Sequence, residues 1–453
     1  MERNIKICLP EDVKTIIETI ENAGFEAYAV GGCVRDSLLN RKPDDWDITT
    51  SAKPEQVKEL FKRTIDTGIQ HGTVTVMMHH VGYEVTTYRI DGEYEDSRHP
   101  KEVVFTSNLV EDLRRRDFTI NAMAYNDRVG IVDEFCGMAD LEHKIIRAVG
   151  NPMDRFTEDA LRIMRAVRFS AQLGYEIEEE TKAAIGVLAT NLQNISAERI
   201  QVELVKLVKS PHPEKMRDLY ETGITAVIMP EFDAAMKTEQ NHPHHKYSVG
   251  EHTIHGMVAV EADKDLRLAM LFHDLGKALC KTTDEDGIDH FHGHAVISEE
   301  LCKAILRRLK FDNDTIHVVS RLVKNHDYKV ESGKKYVRRA INRIGEDVFP
   351  LLLKVKQADM DAQSDYKKEE KQQNLNEISA LYNEIIKDQE CVSLKTLEVK
   401  GADLIAWGMK PGREIGEMLS KLLEAVLENP ELNDKDQLYP LFLQYKEMDS
   451  KES

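Results

Sequence analysis

Cysteine is scarce in this chain and nowhere paired. The six cysteines, Cys8, Cys33, Cys136, Cys280, Cys302 and Cys391, form no CxxC among 453 residues. That excludes an obvious zinc ribbon or thioredoxin-like site and fits thiols kept reduced. No uninterrupted apolar run approaches the ~18 residues that a membrane span needs. The opening MERNIKICLPEDV lacks the apolar core of a signal peptide, so a cytoplasmic location without a membrane partner is expected. Positive charge is in deficit: 61 Lys+Arg against 80 Asp+Glu leave −19, which argues against general affinity for nucleic acid. What is present, 41% hydrophobic and 31% charged residues, is the composition of folded domains, about three of them at this length. Between Leu301 and Lys356 the balance reverses to 14 basic against 6 acidic residues. Such a patch binds a phosphate backbone or is simply a solvated helix face.

Periodicity divides the chain. Val13, Ile16, Ile17, Ile20 and Ala23 recur at helical spacing, and Gly24 stops the helix. FEAYAV reads as a strand, GG as a tight turn, VRDSLL as a short helix and DWDIT as a second strand; Pro54 opens another helix. GTVTVMM and YEVTTYRI are β-branched and alternating, the signature of a hairpin. Past about Ala148 strand signals fade and helical patterns run to the end, with no fixed-period repeat.

Gly31 to Thr50, GGCVRDSLLNRKPDDWDITT, carries the first chemical pattern. Asp45 and Asp47 are two apart in a predicted strand, so their carboxylates leave one face. Paired carboxylates suit Mg²⁺, which takes oxygen ligands and keeps substrate phosphates in its shell. Two ions about 3.5–4 Å apart would activate a hydroxyl and stabilise a pyrophosphate leaving group. Gly31 and Gly32, between strand and helix, let backbone N–H groups approach a triphosphate, with Arg35 one turn on as a fixed cation. DxD or GG alone is usually a surface turn; their combination in one strand–helix–strand unit is a much stronger signal.

EDALRIMRAVRF (Glu158 to Phe169) carries the second. Asp159 and Arg162 fall at i,i+3, neighbours on one helical face. A carboxylate only accepts hydrogen bonds and a guanidinium only donates them. Cytosine and adenine present an amino donor beside a ring-nitrogen acceptor; uracil and guanine present the reverse. Such a pair admits two bases without a template, each mismatched buried group costing about 1–3 kcal/mol. Arg165 and Arg168 drift around the helix and are expected to meet phosphate or sugar. The bland alternative is an intrahelical Asp–Arg ion pair.

These residues resemble the head of class II tRNA nucleotidyltransferases, the CCA-adding enzymes, and of the related bacterial poly(A) polymerases. RRDFTINAMAY (Arg115 to Tyr125), VDEFCG (Val132 to Gly137), EDALRIMRAVRF and SAERI (Ser196 to Ile200) resemble the later family motifs in order, over nearly the whole chain. The resemblance implies an α+β protein: a polymerase-β-like nucleotidyltransferase head (1–148), then an all-α neck (149–210), body (211–375) and tail (376–453). It implies that Arg116 contacts nucleotide, that SAERI is a helix-capping brace, and that Asp91 to Pro100 is the loop used in moving from C to A addition. Glu84 is either a third metal carboxylate or an exposed strand residue. The implied reaction is CCA addition to the tRNA 3′ end from CTP and ATP, with the tRNA acceptor arm on the helical body. KGADLIAWGMKPGREIG, with Gly401, Gly408, Lys410 and Gly412, would be a backbone-binding turn. Poly(A) synthesis and addition of only C or only A are the near alternatives; oligomeric state stays open.

A separate constellation runs through YSVGEHTIHG, LFHDLGKA, FHGHAVISEE, VKNHD and KVKQADMDAQ. His252, the doublet His273–Asp274 and Asp359 match the pattern of HD-family phosphohydrolases. His and Asp within an apolar helix pattern need partners, and a metal supplies them. Mixed imidazole and carboxylate ligands suit Mn, Fe, Ni or Mg more than a structural zinc. His294 and His326 are candidates for a second ion or for phosphate, while His242, His244 and His245 read as a polar loop. A metal-dependent phosphohydrolase with a vestigial head is the rival from another class.

Overall fold

The structure, a computed structural model, describes residues 5–92 and 103–452. It separates into two units, Met1–Asp233 and Ala234–Ser453.

In the first unit, helix α1 (Glu11–Asn22) buries Val13, Ile16, Ile17 and Ile20, the stripe its periodicity predicts. It leads to β1 (Ala27–Val30), α2 (Gly32–Leu38), β2 (Ile48–Thr50), α3 (Pro54–Leu60) and β3 (Thr64–Gly68). The hairpin β4 (Thr73–Met78) and β5 (Val81–Thr87) follows, with His79 and His80 both at positive φ, as a primed turn requires. β6 (Arg89–Asp91) pairs with β7 (Val103–Phe105) in a separate ladder. YEVTTYRI is therefore two strands, not one. Of the expected loop from Asp91 to Pro100, residues 93–100 lie outside the described residues. α4 (Leu109–Arg114), β8 (Ala124–Asn126) and β9 (Gly130–Val132) complete the head. Its seven-stranded mixed sheet runs β3-β4-β5-β2-β1-β8-β9, antiparallel except for the β2·β5 pair. All four residues of β1 are buried, as its central position demands.

Two expectations need correction. DWDIT is not all strand: β2 begins at Ile48, so Asp45 and Asp47 precede it. Sheet pairing still reaches Asp47, whose carbonyl accepts the Val30 N–H at 3.0 Å. EDALRIMRAVRF is not one helix either. Helix Pro152–Glu158 ends, Asp159 is extended (φ −135°, ψ 102°), and a second helix runs over Leu161–Leu173. The Asp159 carboxylate accepts the Leu161 N–H at 3.0 Å, the local competition by which aspartate opens a helix rather than lying inside it.

In the second unit, helices Val249–Ala259, Lys264–Phe272, His294–Arg308, Asn313–Asn325 and Phe349–Ala362 pack on one another. Lys368–Lys387 follows. Nearer the C-terminus, Leu404, Leu422, Val426, Leu427, Leu438 and Phe442 form a core of their own. No helix among the described residues is long and apolar enough to cross a membrane.

Candidate active site and metal centre

Strand register places the acids. Ile48 pairs with Val85 across the parallel ladder, so Asp47 and Glu84 are each one residue before a paired core residue. Ile48 and Val85 point into the core; alternation turns Asp47 and Glu84 to the opposite, exposed face. Asp47 is exposed by residue surface area, yet crowding of its carboxyl by surrounding atoms raises its pKa to about 6, reinforced by the charges of Asp45 and Glu84 and opposed by Arg116. Like charges held together in this way are relieved by a cation, and an all-carboxylate oxygen set fits Mg²⁺. The structure thus brings Asp45, Asp47 and Glu84 together.

The glycine turn faces them. Gly31 has φ +83°, and a Cβ there would stand 3.0 Å from Arg116 Nη1. Both the conformation and the close approach call for glycine. Arg116 touches buried Asp112 only at 3.5 Å through Nη2, and its buried Nε has no hydrogen-bond partner. It is a cation between the turn and the acids with an unsatisfied donor. Gly32 opens α2. Arg35 is more fully engaged: its guanidinium donates to Asp36 at 2.9 Å twice and to Asn121 Oδ1 at 2.7 Å.

The pair expected to read the base, Asp159 and Arg162, is arranged differently. With the helix broken at Asp159, Asp159 and Arg162 do not share one helical face. Asp159 accepts from Arg199 at 2.9 Å. Arg162 donates to Glu158 at 2.7 Å and to the carbonyls of Arg155 and Arg115 at 3.0 and 2.7 Å. The intrahelical Asp–Arg ion pair is absent too. Arg165 donates to Asp117 at 2.5 and 2.8 Å. Burial pushes that carboxyl up, but Arg165, with hydrogen bonds from Asn121 and Arg165, holds it well below the usual range. Arg168 is buried, donating to Glu203 at 2.8 Å and Gln172 at 2.7 Å, and lies 3.6 Å from the Phe169 ring centre. Phe169 also gathers Arg35 and Arg165, at 5.0 and 5.4 Å. Ser196 sits at the N-cap of helix Ala197–Val208 but its hydroxyl makes no cap bond; Arg199 is what braces the turn. Phe169, Asn121, Asp117 and Arg199 lie inside the quoted motifs, yet their roles emerge only from these contacts. Glu203→Ala leaves Arg168 a buried charge without its partner, so unfolding free energy in urea is expected to fall by about 3–5 kcal/mol. An unchanged midpoint would remove this structural role.

In the second unit, His273 and Asp274 are not within a helix: Lys264–Phe272 ends just before them and they occupy the following turn. Both side chains are buried. His252 Nε2 lies 2.9 Å from Asp359 Oδ1, 3.2 Å from His273 Nε2 and 3.5 Å from Asp274 Oδ2. The other oxygen, Asp274 Oδ1, is 3.4 Å from both His294 Nε2 and His326 Nε2. Each imidazole has its Nδ1 against a backbone carbonyl: His252 on Ala362, His273 on Met270, His294 on Phe291 and His326 on Val323. A carbonyl only accepts, so each Nδ1 carries a proton and each Nε2 is the atom left to face a cation; without one, burial opposes the charge but Asp274 and Asp359 outweigh it and raise the His273 pKa to about 10. Four imidazole Nε2 atoms and two carboxylates converge, and buried Asp274 Oδ1 has no hydrogen-bond donor. Divalent cations fit this donor set, with the carbonyls orienting the ligands. Lys277 donates to Asp274 Oδ2 at 2.7 Å. A cavity of about 800 Å³ opens on Asp274, His294, His326 and Asp359, and His242, His244 and His245 line it too. The polar loop expected there is a wall of the site.

Known proteins place the chain. The Poly A polymerase head domain family matches residues 27–147, the "Probable RNA and SrmB- binding site of polymerase A" matches 174–236, and a tRNA nucleotidyltransferase domain 2 family matches 282–441. The mixed sheet, with its acids beside the central β2·β5 pair, defines a nucleotidyltransferase with a polymerase-β-like head. The CCA-adding enzyme of Lactobacillus helveticus is 38% identical over 93% of this chain and 94% of its own length. That of Listeria monocytogenes is 37% identical over 93% and 95%. Against the Levilactobacillus brevis enzyme identity is 52%, but the alignment takes in about half of each, 48% of this chain and 55% of the relative. The crystal structure of the Bacillus stearothermophilus CCA-adding enzyme in complex with CTP superposes with a TM-score of 0.73, at 28% identity, covering 100% of both chains. The chain belongs to the CCA-adding enzyme family.

Proposed function

We propose that this chain adds C and A nucleotides to the 3′ end of tRNA from CTP and ATP, releasing pyrophosphate, by divalent-metal-dependent nucleotidyl transfer. The observation that carries the reading is the meeting of Asp45, Asp47 and Glu84 with the Gly31 turn and the unsatisfied Nε of Arg116. Mg²⁺ held by these carboxylates would polarise the attacking hydroxyl and neutralise the departing pyrophosphate. Gly31 keeps side-chain bulk away from the triphosphate, and Arg116 supplies a charge-assisted donor to it. Asp159 and Arg162 read the base by giving up Arg199 and Glu158 as partners. C and A replace those contacts, whereas U and G leave both side chains mismatched. Arg35, Arg165 and Arg168 act around Phe169, holding the nucleotide's surroundings in place. The acceptor arm is read by shape and phosphates rather than sequence. A cytoplasmic location fits these substrates.

The test is incubation with tRNA lacking its 3′ end, each NTP singly and in pairs, followed by sequencing of the products. CTP alone is expected to add C only, and CTP with ATP to complete CCA. Long A tracts on varied RNA without C would instead mean a poly(A) polymerase.

A second reading is favoured by the converging imidazole Nε2 atoms and the unsatisfied Asp274 Oδ1. His252, His273, Asp274 and Asp359, with His294 and His326, form an HD-type centre for Mn, Ni, Fe or Mg that hydrolyses phosphate esters. Both activities coexist on one chain.

A further inference from the structure

The cavity over the second centre carries lysines on its rim, away from Asp274, that no carboxylate among the described residues engages. Lys329, Lys367 and Lys371 line it, and among the described residues none has a carboxylate within ion-pair distance. That is unusual in a chain with a net charge of −19. Lys367, in left-handed conformation (φ 55°), precedes helix Lys368–Lys387, and Lys371 stands in its first turn, so both lysines sit at the same end of that helix. Lys371 Nζ is 3.0 Å from His244 Nδ1 and donates to Gln363 Oε1 at 2.6 Å. Gln363 in turn donates to both oxygens of Asp359 at 3.1 Å. The basic rim is thus joined to the metal centre by one side chain. His242 stacks on His244, ring centres 5.0 Å apart. Burial, then neighbouring Lys371, lowers the pKa of His244; burial, His290 and nearby lysines lower that of His242. Of the acids in the lining, Asp289 is engaged by Lys281, Thr283 and the Asn241 N–H, and Glu370 and Asp327 form no ion pair with these lysines. A volume of about 800 Å³ lies at the upper part of the ~300–1,000 Å³ range of small-ligand sites, room for a nucleotide rather than one phosphate.

We propose that Lys371, Lys367 and His244 form a phosphate subsite beside the metal centre, so that the preferred substrate is a nucleotide bearing two separate phosphates. One phosphate lies at the centre and the other at the rim. This rests on the phosphohydrolase reading above. In the reaction, water oxygen bonds to phosphorus, the ribose C–O–P ester breaks at its P–O bond, and the ribose oxygen leaves as a hydroxyl with one water proton. Inorganic phosphate and a nucleoside monophosphate result, and the rim phosphate is untouched.

The full chain, loaded with Mn²⁺, is assayed for phosphate release from adenosine 3′,5′-bisphosphate and from 3′-AMP. The wild type is expected to favour the bisphosphate about tenfold or more in kcat/KM, the effect of a charge-assisted contact. Lys371→Met should bring that ratio close to one, and Lys371→Arg should keep it. Using the ratio guards against a general loss of folding. Equal use of both substrates, or a preference that survives Lys371→Met, overturns the subsite and leaves the phosphohydrolase reading standing. No release from either substrate, or release that persists in His273→Ala, overturns the phosphohydrolase reading and the subsite with it.

Discussion

Asp47→Ala is expected to lower nucleotide incorporation at least about a thousandfold, the scale on which charge stabilisation of a transition state acts. The same change should leave the fold intact. The Asp47 carboxyl has a pKa raised to about 6 by burial and by the charges of Asp45 and Glu84. A carboxyl raised above its unfolded value of 3.8 favours folding below that pH, and the contribution is lost as pH climbs through about 6. At pH 8 ionised Asp47 therefore opposes folding, and its removal should leave the thermal midpoint unchanged or higher. Loss of activity without loss of stability marks a residue kept for chemistry. Incorporation within tenfold of wild type, measured with labelled CTP, would contradict the metal role. A falling midpoint would contradict the electrostatic one.

Asp274→Ala is the second large effect. Asp274 offers one oxygen to the His252–His273 group and the other to the His294–His326 group. Removing it should empty both: metal analysis of Mn²⁺-loaded protein is expected to fall from two tightly held ions at this centre to none. Asp359→Ala, which strips only the first group, should retain one. Asp274→Ala also leaves buried Lys277 without its carboxylate, at a cost of about 3–5 kcal/mol. Asp274→Asn keeps the shape and tests the charge alone. Incorporation of nucleotides should survive in Asp274→Asn, because the acids of the head are untouched. Two ions retained in Asp274→Ala would refute the shared-ligand arrangement.

The sequence carried the head well because its signals are local. The amphipathic stripe of α1, the β4–β5 hairpin and the GG-to-DxD spacing each depend on residues close in the chain. It also pointed to the side chains that the second unit gathers, His252, His273, Asp274 and Asp359, since His and Asp in apolar surroundings demand partners. It misled where a polar side chain competed with the helix. Asp159 reads as helical by spacing, but its carboxylate takes the Leu161 N–H and breaks the run. His273 and Asp274 read as helical by hydrophobic pattern, but they fall in the turn after Lys264–Phe272, with His273 as its C-cap. Long-range partners were invisible for another reason. Arg168 has the same spacing as a phosphate ligand, and only the tertiary fold brings Glu203 against it. The histidines at 242, 244 and 245 likewise gain meaning only from the helix Lys368–Lys387, more than a hundred residues on.

Nucleotidyl transfer by this chain depends on the acids beside the central β2·β5 pair of the head. A crystal of the chain grown with CTP and Mn²⁺, measured for anomalous scattering, tests it most directly. Metal peaks between the triphosphate and the carboxylates of Asp45 and Asp47, with Arg116 on the phosphates, are the predicted result. A bound triphosphate whose metal lies away from both aspartates would contradict it.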